Sequence, residues 1–172
     1  RMTDIITNMR AFARDGLPAA RDKDNINAHV NRVFTMLGEQ IKAHNIEVEF
    51  RLGDVPDIWM NTQQILQVIL NLVTNARQAL DEKEGGERRI TITTRADETY
   101  VILEIADTGP GIPDSIRERV FDPFFTTKEV GRGTGLGRSI TMSIIQDHGG
   151  HIDVHTNVAG GATFVVRLPI RP

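Results

Sequence analysis

Five side-chain amides lie along one face of a helix predicted over about residues 61–83. At 100° per residue they fall within an arc of roughly 80°, and they are Gln64, Gln67, Asn71, Asn75 and Gln78. Solvated helix faces are normally rich in lysine and glutamate, and asparagine favours caps and turns. Because amides both donate and accept hydrogen bonds, the stripe suits a phosphate-bearing ligand with its metal ion. A polar helix face that bridges to another element explains the stripe equally well.

A carboxylate followed by two glycines forms the second candidate site. Asp107, Gly109 and Gly111 stand in the run Asp-Thr-Gly-Pro-Gly, directly after a predicted strand. Glycine lets a ring approach the backbone closely, while the acid accepts from an N–H donor. The 6-amino group of adenine is such a donor, whereas guanine presents a carbonyl at that position. Taken alone, the segment is more often an ordinary Asp-Gly turn.

Residues 131–137, Gly-Arg-Gly-Thr-Gly-Leu-Gly, open a predicted helix. Backbone N–H groups at a helix N-terminus bind phosphate, and the density of glycine favours a segment that closes over a ligand. The spacing fits neither the phosphate-loop nor the dinucleotide pattern, since Leu136 stands where a glycine is needed. The preceding run, residues 121–128, combines phenylalanine anchors with Lys128, a candidate phosphate contact. Near the end of the chain, the hydroxyl of Thr163 could reach a ligand.

These residues are held by a predicted α+β arrangement, because helices and strands mix without regular alternation. Apolar spacing predicts helices over residues 2–14, 25–44, 61–83 and 136–148, and a short helix near 113–120. Strands are predicted over residues 46–52, 89–94, 99–106, 151–156 and 162–168. The charged stretch 21–24 is predicted to be a linker.

Composition sets further bounds on function. The chain has 172 residues, a net charge of −3 and no cysteine. The last fact excludes a disulfide scaffold, an Fe–S cluster, a thiolate zinc site and a cysteine nucleophile. The charge argues against a nucleic-acid surface, and no apolar run approaches the ~18 residues of a membrane span. We expect a soluble, cytoplasmic domain without direct membrane contact, whose parent protein could be membrane-anchored elsewhere.

The motifs together resemble the catalytic, ATP-binding domain of the sensor histidine kinases of two-component systems. In family order they match the N box (71–76), G1 box (107–111), F box (121–128), G2 box (131–137) and last glycine-rich turn (160–164). The resemblance covers roughly residues 60–168. It implies the Bergerat-type fold of type II topoisomerase, heat-shock chaperone and mismatch-repair ATPases. That fold is a two-layer α/β sandwich, with a mixed sheet packed on three helices and a mobile ATP lid.

The resemblance implies ATP and Mg²⁺ as cofactors and gives residues their roles by position. Asp107 would bind the adenine amino group, and Asn71 and Asn75 would hold the Mg²⁺ that bridges the phosphates. Asn71 and Lys128 are the implied catalytic residues. The other implied nucleotide contacts are Gln78, Gly109, Gly111, Ile112, Thr126, Thr127, Gly133, Thr134, Gly135, Leu136, Gly137 and Thr163.

Three positions depart from the family pattern, and the departure at Asn61 is predicted to affect packing more than chemistry. Gln78 stands where many relatives place a basic phosphate-binding residue, so Arg77 or Lys128 would supply the missing charge. Arg138 also differs from the commonest residue at its position. Because it follows the glycine loop, it is predicted to alter only the surface of the lid helix.

The family's phosphate acceptor, a histidine on a dimerisation helix, has no match. The chain's five histidines lack its sequence context and are predicted to be surface or core residues: His29, His44, His148, His151 and His155. Residues 1–20 resemble the end of the dimerisation and phosphoacceptor hairpin, and residues 25–172 the catalytic domain. We therefore expect the chain to bind Mg-ATP without phosphorylating itself on histidine.

The leading hypothesis is an enzyme that phosphorylates a histidine on a separate domain of a homodimeric parent, for later transfer to an aspartate of a response regulator. A sibling ATPase or a mitochondrial-type protein kinase of the same fold is a second reading. The two asparagines of the N box favour the histidine kinase, since the topoisomerase and chaperone relatives place a catalytic glutamate where Asn71 stands. A third hypothesis is a nucleotide-sensing interaction module without transferase activity.

Overall fold

The computed structural model describes residues 20–83, 85–125 and 135–171. In these ranges a five-stranded mixed sheet packs against three helices. The helices are α1 (Ile26–Ala43), α2 (Thr62–Asp81) and α3 (Gly137–Asp147), with a short 3₁₀ helix at Asp114–Arg119. The strands are β1 (Asp22–Asp24), β2 (Glu47–Leu52), β3 (Ile58–Met60), β4 (Arg89–Ala96), β5 (Tyr100–Asp107), β6 (His151–Thr156) and β7 (Ala162–Pro169). The helix predicted over residues 2–14 lies outside the described residues.

The main sheet has the strand order β2-β4-β5-β7-β6. Strands β2 and β4 pair in parallel, and the other neighbours pair antiparallel. The α+β class and the mixed sheet on three helices are thus confirmed. Central strand β5 ends at Asp107, and its pairing with β7 stops one residue earlier, at Ala106 and Thr163. The candidate acid therefore stands at the end of a strand that the sheet supports on both sides.

The prediction of a linker over residues 21–24 was wrong. Strand β1 pairs antiparallel with β3, with Lys23 opposite Trp59, and forms a separate two-stranded sheet. Ile58 and Met60 are buried in the core while Trp59 points outward. The charged β1 carries no apolar alternation of its own, so only its partner strand makes it extended, which is a tertiary effect.

Helix α2 positions the amide stripe. Its predicted apolar face is buried throughout: Ile65, Ile69, Leu72, Val73, Ala76 and Leu80. The five amides on the other stripe are half-buried. Asn61 caps the helix, because its Oδ1 accepts from the Gln64 N–H at 2.9 Å. Core packing on one side thus fixes which way the polar side chains point.

His148, at the end of α3, anchors the start of α2. The backbone N–H of Asn61 donates to its Nε2 at 3.0 Å. Since Nε2 accepts, Nδ1 carries the proton and donates to the Ile144 carbonyl at 2.7 Å. The ring is 4% exposed, and burial lowers its pKa below the usual range for histidine. The neutral tautomer is therefore the one that links the two helices.

We expect acid to destabilise the domain through this contact. The unfolded chain takes up a proton on His148 near pH 6.5, whereas the folded chain does so only at lower pH. The stability that the neutral ring contributes is thus full above about pH 6.5 and declines below it, by at most about 1.4 kcal/mol per pH unit. Denaturant titrations between about pH 7.5 and 5 measure this slope.

The matched control is His148→Gln, whose amide oxygen can accept from Asn61 without titrating. The difference in unfolding free energy between wild type and variant should shrink as the pH falls. A difference that stays constant with pH would contradict the assignment.

Candidate functional site

The carboxylate of Asp107 is buried at the end of β5, with a residue exposure of 3%. Its Oδ1 accepts two backbone hydrogen bonds, from Gly109 N–H at 2.8 Å and Ala162 N–H at 3.3 Å. Its Oδ2 takes no hydrogen bond from the described residues. Burial raises the pKa of Asp107, while the two N–H groups and the charge of Lys83 oppose that shift. A donor brought to Oδ2 would complete the group's hydrogen bonding.

The backbone around Asp107 is close-packed because glycines surround it. A Cβ on Gly161 would lie 2.0 Å from the Asp107 carbonyl oxygen. Gly111 has φ +75°, and a Cβ there would meet the Gly160 carbonyl oxygen at 2.4 Å. Neither contact tolerates a side chain, so the two loops close against each other only with glycine at these positions.

Helix α2 connects this end of the site to the other. A Cβ on Gly109 would lie 3.1 Å from the Ala79 Cβ, so the loop after Asp107 touches the last part of the helix. Ala79 comes eight residues after Asn71, which is about 12 Å along the helix axis. Asn75 and Gln78 of the amide stripe lie between these two points. A ligand with a ring at one end and a charged chain at the other fits such a track.

The side chain of Asn71, on α2, contacts the N-terminus of α3. Its Nδ2 donates to the Gly137 carbonyl at 3.1 Å and to Thr141 Oγ1 at 3.4 Å. Thr141 in turn donates to the Gly137 carbonyl at 2.9 Å. Because both partners are acceptors, they fix the orientation of the amide. Its Oδ1 is therefore the atom left to face a cation or a ligand.

Asn75 is one turn further along α2 and half-buried. Its Nδ2 is buried without a hydrogen-bond partner among the described residues. A buried amide nitrogen without a partner is uncommon, because leaving it unpaired destabilises the fold. A polar ligand on this face would satisfy it, and the amide oxygen is a ligand of the kind that Mg²⁺ accepts. The residues present therefore fit a phosphate with its metal ion.

The prediction that Arg77 could supply the missing positive charge is wrong. Arg77 donates to Asp81 Oδ2 at 2.8 Å and lies 3.4 Å from His44 Nε2. His44 Nδ1 also contacts Asp81, at 2.6 Å. Residue 77 is rotated by about 100° from residue 78 on the helix, so it points toward the end of α1. Gln78 remains half-buried on the amide stripe.

Arg138 is also placed differently from the prediction, which put it on the surface. It is half-buried in the first turn of α3, and burial lowers its pKa. Its Nη2 donates to the Phe125 carbonyl at 3.5 Å, a long contact for a guanidinium. It has no carboxylate partner among the described residues. The side chain thus joins the start of α3 to Phe125 of the F box.

The structure also brings the F box to the end of the glycine loop. Phe124 has φ +65° and is 74% exposed. A Cβ on Gly135 would lie 2.5 Å from the Phe124 carbonyl carbon, so the two segments are in direct contact. Leu136 packs against the core, and Gly137 opens α3. Five predicted contacts lie outside the described residues: Thr126, Thr127, Lys128, Gly133 and Thr134.

The remaining predicted contacts lie around Asp107. Thr163 is buried in β7 and accepts at Oγ1 from Asn157 Nδ2, at 3.3 Å. Ile112 packs partly against the core, and its carbonyl accepts from Thr156 Oγ1 at 3.3 Å. Thr163 therefore lies near the candidate acid, and its hydroxyl oxygen already accepts one hydrogen bond.

Sequence reasoning missed two residues in this region. Lys83 Nζ donates to the Thr108 carbonyl at 2.5 Å and to the Glu87 carbonyl at 3.1 Å, so it ties the end of α2 to the loop after Asp107. Asn157 donates to the Asp107 carbonyl at 2.9 Å. An asparagine before a Gly-Gly turn indicates a side-chain turn cap, but not a partner 50 residues away.

Comparison with known families identifies this arrangement. The family described as "Histidine kinase-, DNA gyrase B-, and HSP90-like ATPase" matches residues 60–172. The chain belongs to this ATPase family. ATP binding by the domain follows from that membership, and the predicted sensor histidine kinase catalytic domain is confirmed by the relatives below. No helix in the described ranges is both long and apolar enough to cross a membrane.

The relatives of this ATPase domain are sensor kinases. Sensor kinase CckA of Brucella abortus (strain 2308) is 40% identical over 98% of the chain, which spans 19% of that protein. The nucleotide-free catalytic domain of histidine kinase ThkA has a TM-score of 0.78 at 34% identity, covering 88% of this chain and 99% of that one. Histidine kinase ThkA in complex with response regulator protein TrrA has a TM-score of 0.81 at 28% identity, covering 99% of this chain and 47% of that one.

Proposed function

We propose that this chain is the catalytic part of a two-component sensor histidine kinase. It would transfer the γ-phosphoryl group of ATP to a histidine on a dimerisation domain, releasing ADP. The phosphoryl group would then pass to an aspartate of a response regulator. The observation that carries the proposal is the pair of polar groups about 12 Å apart along α2, near Ala79 and at Asn71. A buried carboxylate stands at one end, and at the other an amide oxygen beside a helix N-terminus.

Asp107 would select adenine. Its Oδ2 would accept from the 6-amino group, while Oδ1 stays held by the Gly109 and Ala162 N–H groups. Guanine presents a carbonyl there, and two facing acceptors repel each other. Gly109, Gly111, Ile112 and Thr163 would surround the base. The first three lie in the segment that follows Asp107, and Thr163 lies at the start of the neighbouring strand β7.

Asn71 and Asn75 would hold Mg²⁺ through their amide oxygens. The two acceptors that Asn71 Nδ2 contacts on α3 leave its Oδ1 facing away from that helix. The unpartnered Nδ2 of Asn75 would donate to a phosphate oxygen. Mg²⁺, when bound, would neutralise charge on the phosphate oxygens. Asn71 is therefore the residue on the described part of the chain to which we give a catalytic role.

The lid would contribute the remaining phosphate contacts. Gly135, Leu136 and Gly137 lead into α3, whose N-terminal N–H groups favour an anion. Lys128 would supply the positive charge that Gln78 lacks, because Arg77 points away. Thr126, Thr127, Gly133 and Thr134 would complete the lid around the phosphates.

The partners follow from the same chemistry. The chain spans about a fifth of the length of sensor kinase CckA, which leaves room in a longer parent for an acceptor domain. None of the five histidines of this chain has the sequence context of the family's phosphate acceptor. The acceptor would therefore come from the dimerisation domain of a homodimeric parent. The ThkA complex supports a response regulator as the next partner, on the cytoplasmic side of the membrane.

Mixing the chain with a separately made, histidine-bearing dimerisation domain tests the proposal. With γ-labelled ATP and Mg²⁺, acid-labile label should appear on the added domain and not on this chain alone. An acceptor domain with its histidine replaced by glutamine is the control. Saturable ATP binding without transfer to any acceptor would instead support the nucleotide-sensing module.

A further inference from the structure

Asn157 shapes the turn between β6 and β7. Its Oδ1 accepts from the N–H groups of Ala159 and Gly161 at 3.0 and 3.1 Å. Its backbone N–H donates to the Gly161 carbonyl at 2.9 Å, and its carbonyl accepts from Gly160 N–H at 3.0 Å. The acceptor side of this one amide thus closes the turn on itself.

The donor side of the same amide reaches out of the turn. Nδ2 donates to the Asp107 carbonyl at 2.9 Å, with further contacts to the Ala162 carbonyl at 3.2 Å and to Thr163 Oγ1 at 3.3 Å. Three oxygen atoms from two strands therefore converge on one NH₂ group. Without that donor they would face one another.

The hydrogen bond from Asn157 Nδ2 to the Asp107 carbonyl stands where the β5–β7 ladder has no further residue pair. The pairing of β5 with β7 ends at Ala106 and Thr163, so Asp107 has no partner residue on β7. On that side Asp107 is held by Asn157 Nδ2 at its carbonyl and by Ala162 N–H at its carboxylate. Gly161 packs against the same carbonyl, since a Cβ on Gly161 would lie 2.0 Å from the Asp107 carbonyl oxygen. The position of the carboxylate therefore depends on the turn that Asn157 closes.

We propose that Asn157 is a positioning residue for adenine recognition, which holds Asp107 from behind without touching the nucleotide. The inference rests on the proposed role of Asp107. Loss of the Nδ2 donor would free the Asp107 carbonyl and lengthen the Ala162 contact, which at 3.3 Å is already long. The carboxylate would then be less well aligned with the amino group of adenine.

Two substitutions separate this role from that of a simple turn residue. Asn157→Asp keeps the acceptor for Ala159 and Gly161 but loses the donor and adds a negative charge near Asp107. Asn157→Ser removes the Nδ2 donor without adding charge. We expect ATP affinity at pH 7.5 to fall about tenfold in both variants. In Asn157→Asp the pH at which binding is half-lost on acidification should also move upward, because a nearby negative charge favours the protonated form of Asp107.

The control is Asn27→Asp, which makes the same change in a similar bridge at the other end of β4. There Asn27 Nδ2 donates to the Gly53 carbonyl at 2.9 Å, and Oδ1 accepts from Thr94 Oγ1 at 2.7 Å. Its ATP affinity and the pH dependence of binding should match wild type, although its stability falls. Binding is calculated for the folded fraction, measured by thermal unfolding at each pH.

The outcomes distinguish this inference from the proposed function. If wild type fails to bind ATP, the proposed function fails. If wild type binds and both Asn157 variants bind equally well with an unchanged pH midpoint, only the positioning role fails. Should Asn157→Asp not fold, the affinity of Asn157→Ser decides. An equal loss of affinity in Asn27→Asp would show a general effect of destabilisation and would overturn the inference.

Discussion

Replacing Asp107 by asparagine should lower the affinity for ATP about 100-fold and leave the unliganded domain at least as stable as wild type. The asparagine oxygen can keep both backbone hydrogen bonds, from Gly109 and Ala162. Its NH₂ group then occupies the place of Oδ2 and faces the amino group of adenine. Two opposed donors and the loss of a charge-assisted hydrogen bond together destabilise the complex by about 3 kcal/mol.

The stability half of this prediction follows from the direction of the pKa shift. Burial raises the pKa of Asp107. A group whose folded pKa exceeds its unfolded value near 3.9 stabilises the fold below that pH, and this contribution is lost as the pH rises through the folded pKa. At pH 7 the ionised carboxylate therefore opposes folding. Asparagine removes this opposition, so the thermal unfolding midpoint should stay the same or rise.

Asp97→Asn is the matched control. Asp97 lies at the other end of β5, exposed, and accepts from the N–H groups of Thr99 and Tyr100 at 2.8 and 2.7 Å. These bonds lower the pKa of Asp97, so its charge stabilises the fold above the unfolded pKa. The control should therefore lose stability and keep ATP affinity, the reverse of Asp107→Asn. Calorimetric titration and thermal unfolding of both variants measure the contrast.

Wild-type affinity for Asp107→Asn would contradict the adenine assignment, and so would equal binding of ATP and GTP to the unmodified chain. A large loss of stability in Asp107→Asn would show instead that the carboxylate holds the loops together. These three results are separable, because binding and unfolding are measured on the same samples.

Periodic and local features were predictable from the sequence. Helix α2 was predicted over residues 61–83 and spans Thr62–Asp81, because its apolar face repeats at helical spacing and Asn61 caps it. The last hairpin was predicted over residues 151–168 and spans His151–Pro169. In both cases the residues that determine the element lie within it. The same is true of Asp107, since a strand followed by Asp-x-Gly marks its position.

Features that depend on a distant partner were not predictable. Strand β1 is extended only because β3 lies beside it, and Asn157 meets the Asp107 carbonyl across 50 residues. Arg77 belongs to a third case, since the 100° rotation between neighbouring helix positions already separates it from Gln78. The i,i+4 ion pair of Arg77 with Asp81 was also open to prediction from the sequence. Only the contact of Asp81 with His44, 37 residues away, depends on the tertiary fold.

Replacing Asn71 by alanine should slow phosphoryl transfer to an added acceptor domain about 100-fold. Catalysis of this reaction rests on positioning and on neutralising phosphate charge. The Nδ2 of Asn71 is hydrogen-bonded to α3, so its amide oxygen is the atom left to face a cation. We expect ATP affinity to fall less than the transfer rate, because the adenine end is untouched. The Mg²⁺ concentration for half-maximal transfer should rise.

The variant Thr141→Val tests whether Asn71 acts by binding the metal or only by holding the N-terminus of α3. Thr141 donates to the Gly137 carbonyl at 2.9 Å and accepts from Asn71 at 3.4 Å. Its loss removes about as much hydrogen bonding at this helix end as Asn71→Ala does, roughly 1 kcal/mol, while Asn71 keeps its oxygen. Thr141→Val should therefore transfer at near the wild-type rate with the wild-type Mg²⁺ dependence. Equal slowing in both variants would mean that Asn71 only anchors α3, and that the metal ligands lie elsewhere.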